Sequence, residues 1–221
     1  LDAMLARRLT GEPVARIIRA VAFCGLRLGL HPDVYVPRWT SERIALAAVD
    51  RLPANGVAID LCTGCGAVAA AVALNRPTAT VLATDLHPPS VACARANGVD
   101  AHLGDLFAPL PHRLRGRVDV VVAVPPFVPH DGLTALAAEV LAHERLDALD
   151  GGHRGLALVE RLAGDARGWL RAGGVLVVEM SPFQIAEASA LLANLGFVDM
   201  APVFDLDGDA CGLTVSLPPA T

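Results

Sequence analysis

The chain has 221 residues, of which 53% are hydrophobic and only 19% are charged, and its formal net charge is -5. This composition supplies enough apolar side chains for one large buried core and excludes an intrinsically disordered chain. The length suits one α/β domain and is too short for two ordinary ones. Lysine is absent and no arginine-rich stripe follows a predicted helix, so stable nucleic-acid binding is not expected.

The apolar runs of the sequence are too short for a membrane helix, which needs roughly 18 uncharged apolar residues. No signal peptide is visible, because arginines interrupt the early sequence. The five cysteines are odd in number and widely scattered, which gives no disulfide framework: Cys24, Cys62, Cys65, Cys93 and Cys211. We therefore expect a cytoplasmic protein that does not associate with membranes.

The first part of the chain is predicted to contain two helices and a hairpin, and in the remainder short strands alternate with helices. A helix is predicted around residues 12–21, a short hairpin across 23–36, and a second helix over 41–51. We expect residues 1–51 to form an N-terminal helical segment with a hairpin linker. Residues 52–221 are expected to form a separate ligand-binding domain.

From residue 55 onward, short β-branched runs alternate with longer helical segments, which is typical of βαβ units on a parallel sheet. The predicted strands cover 57–61, 80–84, 99–103, 118–124, 175–180, 197–204 and 212–217, and the predicted helices cover 66–74, 88–97, 156–170 and 184–195. Gly173 and Gly174 are expected to end the third of these helices. Only a short turn separates the last two strands, so they should pair antiparallel. The predicted fold is a doubly wound α/β domain with a mostly parallel seven-stranded sheet.

The turn after the first of these strands carries the strongest ligand-binding signal. The strand ends with Asp60, and Gly64 and Gly66 lie in the turn before the next helix. Glycines let backbone N–H groups approach a ligand, and a helix N-terminus favours negative charge. A tight strand-to-helix connection without a ligand would use the same residues, so both interpretations stay open.

Two further carboxylates follow the next two predicted strands. Asp85 lies where a carboxylate can accept hydrogen bonds from both hydroxyls of a ribose. Asp105 follows the third strand, and Leu106 and Phe107 beside it could flank a flat base. Because the carboxyl ends of parallel strands meet at one sheet edge, these residues predict a nucleoside site. Helix capping by Asp85 is the simpler alternative.

A nicotinamide-dependent oxidoreductase is the main competing interpretation. The segment Gly64-x-Gly66-x-x-Ala69 satisfies the dinucleotide fingerprint, with Asp85 near the expected ribose position. Against it, the fourth strand is followed by VPPFVP, which offers no catalytic proton donor. Adjacent prolines make a stiff, extended wall, which suits a pocket that aligns a substrate with a transferable group.

Cys62-x-x-Cys65 raises the question of a zinc or redox site. A structural zinc ion needs four ligands in paired spacing, and no second C-x-x-C or nearby histidine pair is present. The seven histidines are dispersed and form no credible triad with serine and aspartate. No metal site is predicted.

The order and spacing of these motifs resemble the HemK/PrmC family of protein-(glutamine-N5) methyltransferases, which modify peptide chain release factors. The similar segments span nearly the whole chain: RRLTGEP, FCGLRL, VPRWTSE, DLCTGCGA, TDLHPPSVACARAN, GDLF, VPPF and ALDGGHRGL. The resemblance implies S-adenosylmethionine as cofactor and a class I methyltransferase domain over residues 52–221. It implies a release factor or another protein as partner.

The same resemblance implies the roles of individual residues. Cofactor contacts would come from Asp60, Cys62, Thr63, Gly64, Cys65, Gly66, Asp85, Asp105, Leu106 and Val124. Within this set the turn would hold the methionine part, Asp85 the ribose, and Asp105 with Leu106 the adenine. The acceptor amide and the transfer chemistry would involve Val124, Pro125, Pro126 and Phe127.

Four positions depart from the family pattern. Cys62 replaces a glycine, Arg154 replaces an aspartate, Val124 replaces the asparagine of N-P-P-Y, and Phe127 replaces its tyrosine. An asparagine amide both donates and accepts hydrogen bonds and could orient a glutamine carboxamide, whereas valine can do neither. We therefore predict N-methyl transfer with poor activity on release-factor glutamine. Another acceptor (a small molecule or nucleic acid), an oxidoreductase and a cofactor-binding protein without transfer activity remain the alternatives.

Overall fold

The computed structural model describes residues 1–220, which form eight α-helices and nine strands joined by loops and short 3-10 turns. In chain order these elements are α1 Asp2–Leu9, α2 Val14–Ile18, β1 Ala20–Phe23, β2 Leu26–Gly29, α3 Ser41–Arg51, β3 Val57–Leu61, α4 Ala67–Asn75, β4 Thr80–Asp85, α5 Pro88–Ala96, β5 Ala101–Leu103, β6 Val118–Ala123, α6 Ala138–His143, α7 Ala157–Ala166, β7 Leu170–Glu179, α8 Ile185–Asn194, β8 Val198–Phe204 and β9 Ala210–Ser216.

Strands β3 to β9 form one seven-stranded sheet in the order β5-β4-β3-β6-β7-β9-β8. The pairs from β5 to β7 are parallel, and β9 runs antiparallel to both of its neighbours. The predicted doubly wound α/β fold with one reversed strand is confirmed.

The sheet is covered on both faces, which explains the apolar run of its central strand from Val120 to Ala123. Val120 and Val122 of β6 belong to the core beneath α3 and α4, whereas Val121 and Ala123 belong to the core beneath α7 and α8. A strand that buries both faces needs apolar residues at every position. Across residues 1–220, no helix combines the length and the apolar composition needed to cross a membrane.

The N-terminal segment differs from the prediction in its elements. The helix predicted over 12–21 is shorter, because Arg19 adopts a left-handed conformation (φ 54°) after Ile18 and Ala20 begins β1. Helix α1 was not predicted. Phe23 and Val34 pack in the same core as Ile44 of α3, so this segment contacts the sheet-forming part of the chain directly.

Strand β7 begins five residues earlier than its predicted start at residue 175, and it contains Gly173 and Gly174. The prediction that these glycines end the preceding helix is wrong. A register shift between Val118 and Val120 of β6 accommodates the extra length of β7, so the strand continues through the glycine pair.

Candidate active site

A cavity of about 470 Å³ opens at the carboxyl edge of the sheet, where β3, β4 and β6 end. Chain order reverses between β3 and β6, and ligands of open α/β sheets settle outside such a switch point. Loops after β3, β4, β5 and β6 form its floor, and residues 33–41 and 145–149 contribute further walls. Every residue predicted as a site residue, except Gly66 and Phe107, lines this one cavity.

The glycine turn after β3 forms the centre of the cavity floor. Gly66 is the N-cap of α4 and has a φ of 83°, and a Cβ there would lie 2.9 Å from Cγ2 of Val99 and 3.0 Å from Cβ of Ala94. Only glycine allows both this conformation and the close packing against the neighbouring helix. Cys62 also has a positive φ of 58°, at the position where the family pattern has glycine. The turn therefore keeps the conformation that the missing glycine would favour.

Asp60 holds this turn from beneath. One carboxylate oxygen, Oδ2, accepts hydrogen bonds from the Thr63 hydroxyl (2.6 Å) and from the backbone N–H of Ala69 (3.1 Å). The other oxygen, Oδ1, is buried and has no hydrogen-bond partner among residues 1–220. Burial raises the pKa of Asp60 to about 7, against the opposing effect of its two hydrogen bonds. An unpaired buried oxygen at a cavity wall is a ready acceptor for a cationic or N–H-bearing ligand.

Asp85 connects the end of β4 to the same turn. Its Oδ2 accepts a hydrogen bond from the backbone N–H of Gly64, and its Oδ1 accepts one from the backbone N–H of His87, each at 2.8 Å. Burial raises the pKa of Asp85, although both hydrogen bonds oppose the change. The carboxylate is thereby fixed at the cavity wall, and each oxygen keeps a lone pair for a ligand hydroxyl.

The residues after β5 divide between the cavity and the core. Asp105 and Leu106 line the cavity, and Asp105 forms an ion pair with Arg161 of α7. Phe107 instead lies in the core, stacked on Trp169 with the ring centroids 5.2 Å apart. The prediction that Phe107 flanks a base is therefore wrong, because its side chain points away from the cavity and into the core.

The segment Val124 to Phe127 forms the cavity wall beyond the end of β6. Its exit is fixed by Gln184, whose Nε2 donates hydrogen bonds to the carbonyl oxygens of Phe127 and Arg154, both at 2.9 Å. Gly155 packs directly behind the Phe127 carbonyl. The VPPF wall and the ALDGGHRGL segment thus form one rigid unit. Arg154 does not reach into the cavity, because its guanidinium pairs with Glu187.

Comparison with known proteins connects this arrangement to a reaction. Residues 42–153 match the family described as Methyltransferase small domain. A release factor glutamine methyltransferase of Mycolicibacterium smegmatis is 35% identical over 212 residues, which cover 93% of this chain and 75% of that protein. The 4-amino-L-phenylalanine/4-methylamino-L-phenylalanine methyltransferase of Streptomyces pristinaespiralis is 37% identical over 201 residues, 86% of this chain and 68% of that protein.

A solved structure gives the same result. The release-factor-specific protein-(glutamine-N5) methyltransferase of Alicyclobacillus acidocaldarius is 26% identical with a TM-score of 0.54, and the match covers 87% of this chain and 100% of that chain. The chain belongs to the HemK/PrmC methyltransferase family. It is therefore an N-methyltransferase, and its family and fold imply S-adenosylmethionine as the methyl donor. The family membership removes the nicotinamide oxidoreductase from the alternatives.

The cavity of this HemK/PrmC chain fits such a donor in size and polarity. Its volume lies in the range of small-molecule sites. Besides Asp60 Oδ1, the hydroxyls of Thr84 and Ser41 are buried without a hydrogen-bond partner, and all three residues line the cavity. Buried polar atoms are normally paired, so these unpaired atoms indicate a polar ligand.

Cys62 and Cys65 are free thiols in the wall of the cavity. Burial raises the pKa of both thiols, that of Cys65 to about 12, so neither is a reactive thiolate at neutral pH. Within residues 1–220, no group of three or more histidine, cysteine or carboxylate side chains is arranged to hold a metal ion.

Several cavity residues of this HemK/PrmC chain were not predicted. Tyr35 comes from the segment before α3, Ser41 is the first residue of α3, and Arg145 and Asp147 come from the loop before α7. Only the similarity of the VPRWTSE segment to the family could have directed attention to Ser41. The loop before α7 carries no periodicity that would place it over the cavity.

Proposed function

We propose that this HemK/PrmC chain binds S-adenosylmethionine in the cavity and transfers its methyl group to a nitrogen of an acceptor that presents an apolar group. When bound, the cofactor supplies an electrophilic sulfonium methyl group. In this proposal Val124 and Phe127 contact the acceptor, and Pro125 and Pro126 keep that wall rigid. Catalysis rests on alignment of the acceptor nitrogen with the methyl carbon, with no covalent intermediate on the protein.

The proposed donor site uses the polar atoms at the three strand ends. Asp60 Oδ1 and the N–H groups of the 62–66 turn (Cys62, Thr63, Gly64, Cys65 and Gly66) would hold the methionine part. Asp85 would accept hydrogen bonds from the ribose hydroxyls. Asp105 and Leu106 would flank the adenine, one by polar contact and one by apolar contact. The unpaired oxygen of Asp60 and the fixed orientation of Asp85 support these roles.

The acceptor assignment depends on one observation, namely that Val124 occupies the cavity wall at the end of β6. Valine cannot donate to or accept from a carboxamide, so a glutamine side chain would lose the fixed partner that orients its nitrogen. An aromatic amine needs less such orientation, because its ring can pack against Val124 and Phe127 while the amino group faces the donor. The Streptomyces pristinaespiralis relative, which is named for a 4-amino-L-phenylalanine substrate, supports this acceptor class.

Release-factor glutamine is the second candidate acceptor. Release factor glutamine methyltransferases of several bacteria are 33–38% identical to this chain over most of its length. Main-chain carbonyl groups of the VPPF wall could accept hydrogen bonds from a glutamine amide even without the asparagine. In either case the expected compartment is the cytoplasm, and stable nucleic-acid binding is not part of the proposal.

The test is radiolabelled methyl transfer from S-adenosylmethionine to two acceptors: 4-amino-L-phenylalanine and a release-factor fragment with its Gly-Gly-Gln motif. The wild-type chain should methylate the aromatic amine and leave the fragment nearly unmodified. The double variant Val124→Asn with Phe127→Tyr should raise transfer to the fragment at least tenfold, about 1.4 kcal/mol of transition-state stabilisation.

The matched control is Val124→Ala, which opens the wall without adding an amide and should not raise transfer to the fragment. Rapid wild-type methylation of the fragment would contradict the aromatic acceptor and favour the release factor. Absence of transfer to both acceptors, with cofactor binding intact in calorimetry, would contradict both assignments.

A further inference from the structure

A buried carboxylate lies next to the proposed acceptor wall and takes no part in the function described so far. Glu179 is the last residue of β7, and only 4% of its surface is exposed to solvent. Ala123 of β6 pairs with Val178 of β7 in parallel register, so Val124 and Glu179 follow at neighbouring positions. Side chains along a strand point alternately to the two faces of the sheet, and Val175 and Val177 of β7 pack on the face covered by α3. Glu179, two residues after Val177, therefore lies on the same face.

The carboxylate of Glu179 is incompletely paired. Its Oε1 accepts one long hydrogen bond, 3.4 Å, from the hydroxyl of Thr40 at the start of α3, and its Oε2 has no partner. No arginine or histidine nitrogen within residues 1–220 lies within 4.0 Å of it. Burying a carboxylate that has one long hydrogen bond and no cation is costly, so its presence points to a functional demand.

Ser41 connects this carboxylate to the cavity. It follows Thr40, whose hydroxyl reaches Glu179, and it lines the cavity. The Ser41 hydroxyl and Glu179 Oε2 are both buried without a hydrogen-bond partner among residues 1–220, so each is free to take part in a proton relay. The remaining polar groups that influence Glu179 are Arg38, Tyr35 and Cys211. The Nε of Arg38 donates to the Tyr35 hydroxyl at 3.0 Å, so this guanidinium is already engaged. Burial dominates and raises the pKa of Glu179 to about 7.

We propose that Glu179, acting through the Ser41 hydroxyl, takes the proton that the acceptor nitrogen must lose. This role rests on the proposed N-methyl transfer. The nitrogen lone pair forms a bond to the methyl carbon while the carbon–sulfur bond breaks and its electron pair stays on sulfur. The nitrogen then carries a positive charge and gives its proton to Ser41 Oγ, whose own proton passes to the Glu179 carboxylate. Charge balances, and no further reactant is needed.

The decisive variant is Glu179→Gln, which keeps the size of the side chain but cannot take a proton. Its turnover should fall about 100-fold, the scale of proton-transfer catalysis, while the affinity for S-adenosylhomocysteine stays unchanged. The wild-type rate should rise with pH through about 7, as the carboxylate ionises, and the variant should lose this dependence. Glu179→Asp should retain part of the turnover rate and part of its pH dependence. Ser41→Ala should also lower the turnover rate, but by less than Glu179→Gln.

Cys211→Ala is the matched control, because it alters a buried neighbour of Glu179 that does not line the cavity, and it should leave rate and pH profile unchanged. If Glu179 only anchors the start of α3, Glu179→Gln will lower the melting temperature and keep the pH-dependent rate. That result would overturn the proposal. If Glu179→Gln does not fold, the pH profiles of Glu179→Asp and Ser41→Ala decide in its place.

A measurement without turnover separates this proposal from the acceptor assignment. Infrared titration of the protein with S-adenosylhomocysteine should show a carboxyl band, absent from Glu179→Gln, that titrates near pH 7 and shifts when 4-amino-L-phenylalanine or the release-factor fragment is added. A wild-type chain that methylates neither acceptor would refute the proposed function alone. A band insensitive to both acceptors would refute the role of Glu179, whatever the substrate.

Discussion

Substitution of Gly155 by alanine should damage the acceptor wall and spare the cofactor site. Gly155 has a φ of 71°, and a Cβ on it would lie 2.1 Å from the carbonyl oxygen of Phe127 and 2.4 Å from Nε2 of Gln184. Neither atom can move freely, because Gln184 donates its hydrogen bond to that same oxygen. The methyl group must therefore push the VPPF wall away from the segment behind it and break this hydrogen bond.

The cost can be assembled from separate contributions. The left-handed backbone costs an alanine about 1 kcal/mol, the lost hydrogen bond costs about 1 kcal/mol, and overpacking adds about 1–3 kcal/mol. The total is about 3–5 kcal/mol, which lowers the melting temperature of a chain of this length by about 10 °C. Gly116 provides the matched control, since its φ is 70° and a Cβ there would meet nothing within 4 Å. Gly116→Ala should cost only the backbone contribution of about 1 kcal/mol.

Thermal unfolding, calorimetry with S-adenosylhomocysteine and methyl transfer together form the assay. Gly155→Ala should lose methyl transfer at temperatures where it is still folded, because the wall that positions the acceptor has moved. Its affinity for S-adenosylhomocysteine should stay within a factor of about three, as none of the proposed donor contacts is touched. Equal destabilisation by Gly155→Ala and Gly116→Ala would refute the argument, since it would show that the wall yields without cost.

Three further predictions concern the donor site and the buried carboxylates. Asp85→Ala should weaken S-adenosylmethionine binding by about 1.5–3 kcal/mol in calorimetry, the scale for hydrogen bonds to a charged group; unchanged affinity in a folded variant would place the ribose elsewhere. Purified protein should contain no stoichiometric zinc by elemental analysis, since residues 1–220 place no companion ligands around Cys62 and Cys65. Burial raises the pKa of Asp60 and Glu179 to about 7, so the folded state binds their protons more tightly than the unfolded state. The free energy of unfolding should therefore fall as pH rises from about 4.5 to 7. Each of the two carboxyl groups contributes at most about 1.4 kcal/mol per pH unit to this fall. Urea titrations at several pH values should show a smaller fall for Glu179→Gln than for the wild-type chain.

Sequence patterns were sufficient for the sheet because each central strand obeys one rule. The short apolar run of β6 from Val120 to Ala123 predicts a strand covered on both faces, and the short turn between the last two strands predicts that they pair antiparallel. The ends of elements were harder to predict. Strand β7 runs through Gly173 and Gly174, and this follows from a register shift against β6 that no local pattern encodes. Pairing with β6 outweighs the tendency of the glycine pair to end a regular element there.

Some residues of the candidate site could likewise be predicted from the sequence, and others could not. Asp60, Asp85 and Asp105 could be identified because each lies at or just beyond the carboxyl end of a strand, and parallel strands bring these ends to one edge. Phe107 was assigned to the wrong side, since its neighbour Leu106 takes a left-handed conformation (φ 46°) that turns the following residue into the core. Sequence spacing alone cannot show such a reversal.

Glu179 could not have been identified from its own sequence context, where it looks like the polar end of a buried strand. Its significance arises only from two long-range contacts, the register with β6 and the approach of α3. The departures at Val124 and Phe127 remove side-chain hydrogen bonding from the wall, yet the adjacent carboxylate of Glu179 is buried with only one long hydrogen bond. A chain that had lost transfer altogether would have no use for that costly arrangement. The presence of Glu179 beside an altered wall therefore favours a changed acceptor over a lost activity.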